Sequence, residues 1–184
     1  MGKQFDEISA AHQKFIEDQK IFFVGSAAEE GRVNISPKGG DALRVLGPNR
    51  LVWRNLTGSG NETAGHLARV NRMTVMWASF DTRPIILRCY GTARTLHPRD
   101  AEFAELNALF PDHVGARQIY DVSVDLVQSS CGYSVPFFTY DSDRDVLNKW
   151  ADDKGPEGIE DYWRTRNTET LDGMPTHVVV DDDT

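Results

Sequence analysis

A chain of 184 residues is long enough for one domain with a proper core and short for two. Its composition, 40% hydrophobic and 26% charged, is ordinary for a soluble globular protein. The net charge of −8 argues against a nucleic-acid binder, which needs a basic face, and no stretch approaches membrane-spanning length.

The start, "MGKQFDEISAAHQKF", has no apolar signal core, and Glu7 and Ile8 stand where a lipidation signal needs small hydroxyl residues, so a cytoplasmic location is expected. There, the glycosylation patterns at Asn34, Asn55 and Asn61 carry no meaning. Cys89 and Cys131 form no CxxC and are too few for a disulfide framework. Residues 5–19 predict an amphipathic helix with Phe5, Ile8, Phe15 and Ile16 on one face. "IFFVGSAA" and "VNISP" read as a hairpin turning at "EEGR", and "ALRVLG" and "RLVWRN" as a second turning at Gly47-Pro48-Asn49. A polar turn then leads into a helix ending near Asn71. "MTVMWASF" and "PIILRCYGTARTLH" predict strands, and "PRDAEFAELNALF" a helix with Pro98 in its first turn. "QIYDVSVDLVQSSCGYS" alternates as a strand with one wet face. Strands in hairpins with helices inserted favour a mainly β, α+β fold: a mostly antiparallel barrel or sandwich of six or seven strands. Residues 1–135 would form it. Residues 136–184 would be a helical extension, broken at Gly155-Pro156 and packed on the barrel or on a second subunit. The end, "HVVVDDDT", reads as a short final strand with a frayed tip.

Two polar turns carry the chemistry. In "NLTGSGNETAGHLARV", Ser59 and Glu62 have capping-box spacing, and Gly58 and Gly60 allow a sharp turn, so the segment reads first as a helix start. A helix start also offers unpaired N–H groups and the positive dipole end to an anion, with Arg54, Thr57, Ser59, Asn61 and Thr63 nearby in sequence. It is neither a Walker motif nor a GxGxxG turn. In "NISPKGGD", Asn34, Ser36 and Lys38 present amide, hydroxyl and cation, although a lone lysine is by default a surface residue. Arg88, within the apolar run "IILRCY", needs a partner, either a carboxylate or a ligand phosphate.

In order, "FFVGSAAEEGRVNISPKGG", "RLVWRNLTGSGNETAGHLARVNRMTVMWA" and "RCYGTARTL" resemble the pyridoxamine 5′-phosphate oxidase-like, FMN-binding split-barrel proteins over roughly residues 8–130. The resemblance implies a split β-barrel homodimer holding FMN at its interface. By position, Ser36, Pro37 and Lys38 would lie along the flavin, and Asn55, Thr57, Ser59, Gly60, Asn61 and Thr63 near its phosphate, with Arg88 as a further contact. The fold also serves F420, haem or no cofactor. The tail "SSCGYSVPFFTYDSDRDVLNKWADDKG…YWRTRNTETLDGMP" resembles the extension of an uncharacterised branch. The Trp-rich strand and Arg-x-His segment of the vitamin B6 oxidases are missing, and so is a clear phosphate-binding Arg…Lys pair.

Cys131 and Tyr133 are candidates for lining the pocket, although a buried structural cysteine is the commoner arrangement. Trp53, which could also stack on a ligand, and Trp163 read as packing residues, and His66, which could also face a ligand, reads by default as an exposed helix histidine. His12, His97, His113 and His177 have no ligand spacing, so no metal site is expected. The expectation is an FMN-dependent oxidoreductase of a small organic substrate, or a non-catalytic flavin or haem carrier or sensor of the same fold, with neither nucleic acid nor membrane as partner.

Overall fold

The computed structural model describes residues 2–180. Its strands are β1 (Lys3–Phe5), β2 (Ile21–Ser26), β3 (Asn34–Gly39), β4 (Leu43–Gly47), β5 (Arg50–Leu56), β6 (Met73–Ala78), β7 (Ile85–Leu96) and β8 (Ala116–Cys131). Its helices are α1 (Ala10–Asp18), α2 (Glu62–Arg69), α3 (Phe103–Asn107) and α4 (Val146–Arg166). Seven strands form one curled antiparallel sheet in the order β3-β2-β6-β7-β8-β5-β4, the split barrel expected. The short β1 adds to it by pairing with β8, Phe5 opposite Val127.

The main core fills the inside of the curl. Phe22 and Val24 of β2, Trp53 of β5, Trp77 of β6, Leu87 and Cys89 of β7, and Tyr120 and Val122 of β8 meet Phe15 and Ile16 of α1. A second cluster on the outside joins Val52 and Ile119 to Phe103, Leu106 and Phe110 around α3. Residues 51–55 of β5 and 116–122 of β8 are therefore buried on both faces. The alternation in "QIYDVSVDL" hides this, because Gln118 and Asp121 look like wet positions and are buried. A strand covered on both sides does not have to alternate.

Local chemistry moves several boundaries. α1 starts at Ala10, not residue 5, because Ser9 caps it: the Ser9 hydroxyl accepts from the His12 N–H at 3.2 Å, and His12 Nδ1 accepts from the Ser9 N–H at 3.2 Å. Pro98 does not start a helix. Asp100 accepts the His97 N–H at 2.6 Å and holds the chain in turns, so α3 begins only at Phe103. α4 is broken where expected, Gly155 taking φ 65° and ψ 176° before Pro156. Beyond it, residues 168–176 fold back on themselves, with a Glu169–Pro175 bridge and the Thr170 N–H donating to Met174 O at 2.9 Å. This turn presses on α2 so closely that a Cβ on Gly65 would lie 2.3 Å from Thr170 Cγ2. His177–Val180 form no strand, and the acidic tip of the expected final strand lies outside the described residues.

β7 bulges between Tyr90 and Gly91, where the chain passes so close to β8 that a Cβ on Gly91 would stand 1.9 Å from Ser123 O. The obstacle is backbone within the most extensive strand pair. Gly91→Ala is expected to lower the stability by at least about 2 kcal/mol in thermal or urea denaturation; an unchanged midpoint would contradict this packing.

Candidate functional site

The two polar turns meet. β3 alternates so that Asn34, Ser36 and Lys38 point inward while Ile35 and Pro37 face out, and the end of β5, the Gly58–Asn61 turn and the first residues of α2 close round them. Together with Arg117 of β8 they line a cleft of about 310 Å³.

Two cations define its character. Lys38 Nζ lies 3.5 Å from Asn55 Oδ1 and 5.3 Å from the centre of the Trp53 ring. Burial, with the nearby Arg117 charge as a second cause, brings its pKa down to about 8. Arg117 is only 2% exposed. It donates through Nη1 to Asn167 Oδ1 at 2.6 Å and Gly58 O at 3.4 Å, and through Nη2 to Gly60 O at 3.0 Å. Its Nε has no partner, and burial lowers its pKa to about 10. The hydrogen-bond acceptors of both cations are neutral oxygens, and no ion pair to either appears among the described residues. The carboxylate lining the cleft, Glu62, is taken up by the Leu171 N–H at 3.1 Å.

Several predicted residues stand at the cleft in supporting roles. Asn55 accepts from Lys38 and donates to Gln118 Oε1 at 3.1 Å. Thr63 Oγ1 lies 3.4 Å from both Ser26 Oγ and Asn34 Nδ2, and Ser36 donates to Asn34 Oδ1 at 2.9 Å. Asn61 is buried and leaves its Oδ1 unpartnered. Gly60 contributes its carbonyl to Arg117. Ser59 lines the cleft but does not cap: α2 starts at Glu62 with Asn61 as its N-cap, and the Asn61 side chain makes no capping bond. The Ser59–Glu62 box fails because Glu62 bonds Leu171 instead.

Other predicted residues lie elsewhere. Thr57 turns away, donating to Gly115 O at 2.9 Å and accepting from Trp163 Nε1 at 2.8 Å. Pro37 is on the outer face of β3. Arg54 points to the opposite side, donating to Pro111 O above the Phe110 ring. Arg88 finds neither carboxylate nor cleft: its partner is the Ser130 hydroxyl at 3.2 Å. Cys131 is exposed rather than buried, at the far end of β8 from Arg117, and Tyr133 is exposed beyond it, so neither lines this cleft. His66 is buried, not solvated, its Nδ1 3.1 Å from Ser26 Oγ. Trp53 is core, as expected. Among the described residues no group of three or more metal-type ligands occurs, and no helix is long and apolar enough to cross a membrane.

A family model described as pyridoxamine 5′-phosphate oxidase matches residues 8–131, the segment holding all the strands from β2 to β8 and both cations. This chain belongs to that family. A pyridoxamine 5′-phosphate oxidase family protein of Aspergillus flavus, ustO, is 35% identical over 176 residues, covering 85% of this chain and 70% of that one. Among solved structures, HupZ of Group A Streptococcus superposes with a TM-score of 0.54 at 14% identity, covering 67% of this chain and 99% of its own. A pyridoxamine 5′-phosphate oxidase candidate from Lactobacillus delbrueckii gives 0.55 at 15%, with coverage of 67% and 94%. At such identities these structures speak for the fold alone.

Within this member of the family, holding Lys38 charged opposes folding. Its folded pKa lies below the ordinary 10.5, so the penalty is complete below about pH 8 and fades between about 8 and 10.5. Lys38→Met is expected to melt above the parent at pH 7, with the gap closing as the pH rises through that window. A lower melting point at pH 7 would show that Lys38 stabilises the fold.

Proposed function

We propose that the chain binds FMN in this cleft and works as an oxidoreductase on a small organic substrate. The observation that carries the reading is the pair of cations, half-buried Lys38 and buried Arg117, with no acid paired to either among the described residues. A dianionic phosphate ester supplies the charge they lack. The residues suit it: Ser36 and Thr63 offer hydroxyls, and the uncapped first turn of α2 offers N–H groups with the dipole's positive end. Family membership supports a phosphate-bearing ligand and redox chemistry, since the name of the family joins the two.

Bound there, the flavin would supply the hydride chemistry. The chain's share is binding and orientation. Lys38 and Arg117 fix the phosphate, and the Asn55–Gln118 bond keeps Lys38 aligned from behind. The reading includes a homodimer. Val33 and Ile35, each 70% exposed, border an apolar hollow of about 500 Å³ with Phe23, Met76 and Tyr90 on the outer face of β3, a surface suited to a second copy. Electrons would come from a nicotinamide or go to oxygen.

Titration with FMN should quench flavin fluorescence, and Lys38→Ala should weaken binding by about tenfold or more. Affinity should peak between about pH 6, where the ester gains its second charge, and about pH 8, where Lys38 loses its proton. No quenching at any pH would remove the flavin. Reduction of the bound flavin by NADH or NADPH, with reoxidation by substrate, separates an enzyme from a carrier.

A further inference from the structure

We infer that Asn167, in the segment after α4, is a positioning residue that sets Arg117 and the Gly58–Gly60 turn for a phosphate without neutralising the arginine; this rests on the flavin-phosphate reading above. Asn167 lies outside the family-model match yet is 0% exposed. Its N–H ends α4 by donating to Trp163 O at 3.0 Å, which fixes where its side chain emerges. From there it touches the site at three points. Its Oδ1 accepts from Arg117 at 2.6 Å, its Nδ2 donates to Gly58 O at 3.1 Å, and its backbone carbonyl accepts from Asn61 Nδ2 at 3.3 Å. Thr176 holds the same carbonyl from the other side through its hydroxyl.

The amide is the chemically informative feature. A buried guanidinium is most simply satisfied by a carboxylate. An aspartate here would form that ion pair, cancel the positive charge and lose the donor to Gly58 O. Asparagine has the same shape, orients the guanidinium, pins the turn and leaves the charge for a ligand. Orientation and charge are thus set by a residue far along the chain, after α4 and outside the family-model match.

The test compares FMN with riboflavin, which lacks the phosphate, by fluorescence titration at pH 7 with folding followed by circular dichroism and melting. The native chain should prefer FMN. Asn167→Asp should remove about tenfold or more of that preference, leave riboflavin affinity unchanged, and melt at or above the parent temperature because the buried arginine gains a counter-charge. Asn167→Ser, which adds no charge, should lose a few-fold of the preference and serves where the aspartate variant does not fold. Thr176→Val, which removes a bond to the same residue without touching Arg117, should melt lower and keep the preference. A folded Asn167→Asp or Asn167→Ser chain with the full preference overturns the inference, as does a Thr176→Val chain that loses as much. A native chain that binds both flavins equally overturns the phosphate reading itself, and this inference with it.

Discussion

Two like charges share a small cleft in which, among the described residues, neither is paired with an acid, and much of the rest of the structure is arranged around that fact. Burial lowers the proton affinity of both Lys38 and Arg117, and the Arg117 charge lowers that of Lys38 further. Such a pair opposes folding of the free chain, and the surrounding core must outweigh it. Binding sites commonly carry this kind of instability, which a ligand of the opposite charge relieves.

The fold explains how the pair is assembled. Lys38 comes from β3 at one edge of the sheet and Arg117 from the start of β8, well inside it. The curl of the sheet brings them together. Covering β8 on both faces makes Arg117 rigid: the main core lies on one side, the α3 cluster on the other, and the segment after α4 across its tip. The polar network behind Lys38, from Asn55 to Gln118 to Tyr120, lies beside the Trp53–Tyr120 stack, whose ring centres are 4.5 Å apart. Polar groups confined by aromatic packing keep one geometry, so the cleft is preorganised rather than assembled on demand.

The strands were largely legible in the sequence, because hairpins such as "IFFVGSAA…VNISP" combine β-rich runs with clear turns. So were Lys38 and the turn after β5, since a hydroxyl, a cation and a glycine-rich helix start in two short segments point to an anion. Arg117 was not. It precedes the alternating run beginning "QIYDV", and nothing local distinguishes an arginine entering a doubly covered strand from one on a surface; its neighbourhood, with Asn55 opposite Gln118, emerges only in the folded strand register. The Ser59 cap misled because the competing partner of Glu62, the Leu171 N–H, lies 109 residues away. Asn167 and the burial of His66 were hidden for the same reason: both depend on long-range contacts that no local pattern carries. Arg88 shows the converse. An arginine in an apolar run suggested a buried charge, whereas half-burial beside a serine suffices for it.

The most direct test of the central claim is the phosphorus-31 resonance of FMN in the presence of the protein, followed from about pH 5.5 to 7.5, the range in which a free phosphate monoester takes up its second proton. A phosphate held between Lys38 and Arg117 should stay dianionic, so its resonance should be displaced and should cease to move with pH. A resonance that titrates as in free solution while the flavin ring is visibly bound would put the phosphate in water and leave the two cations without the ligand assigned to them.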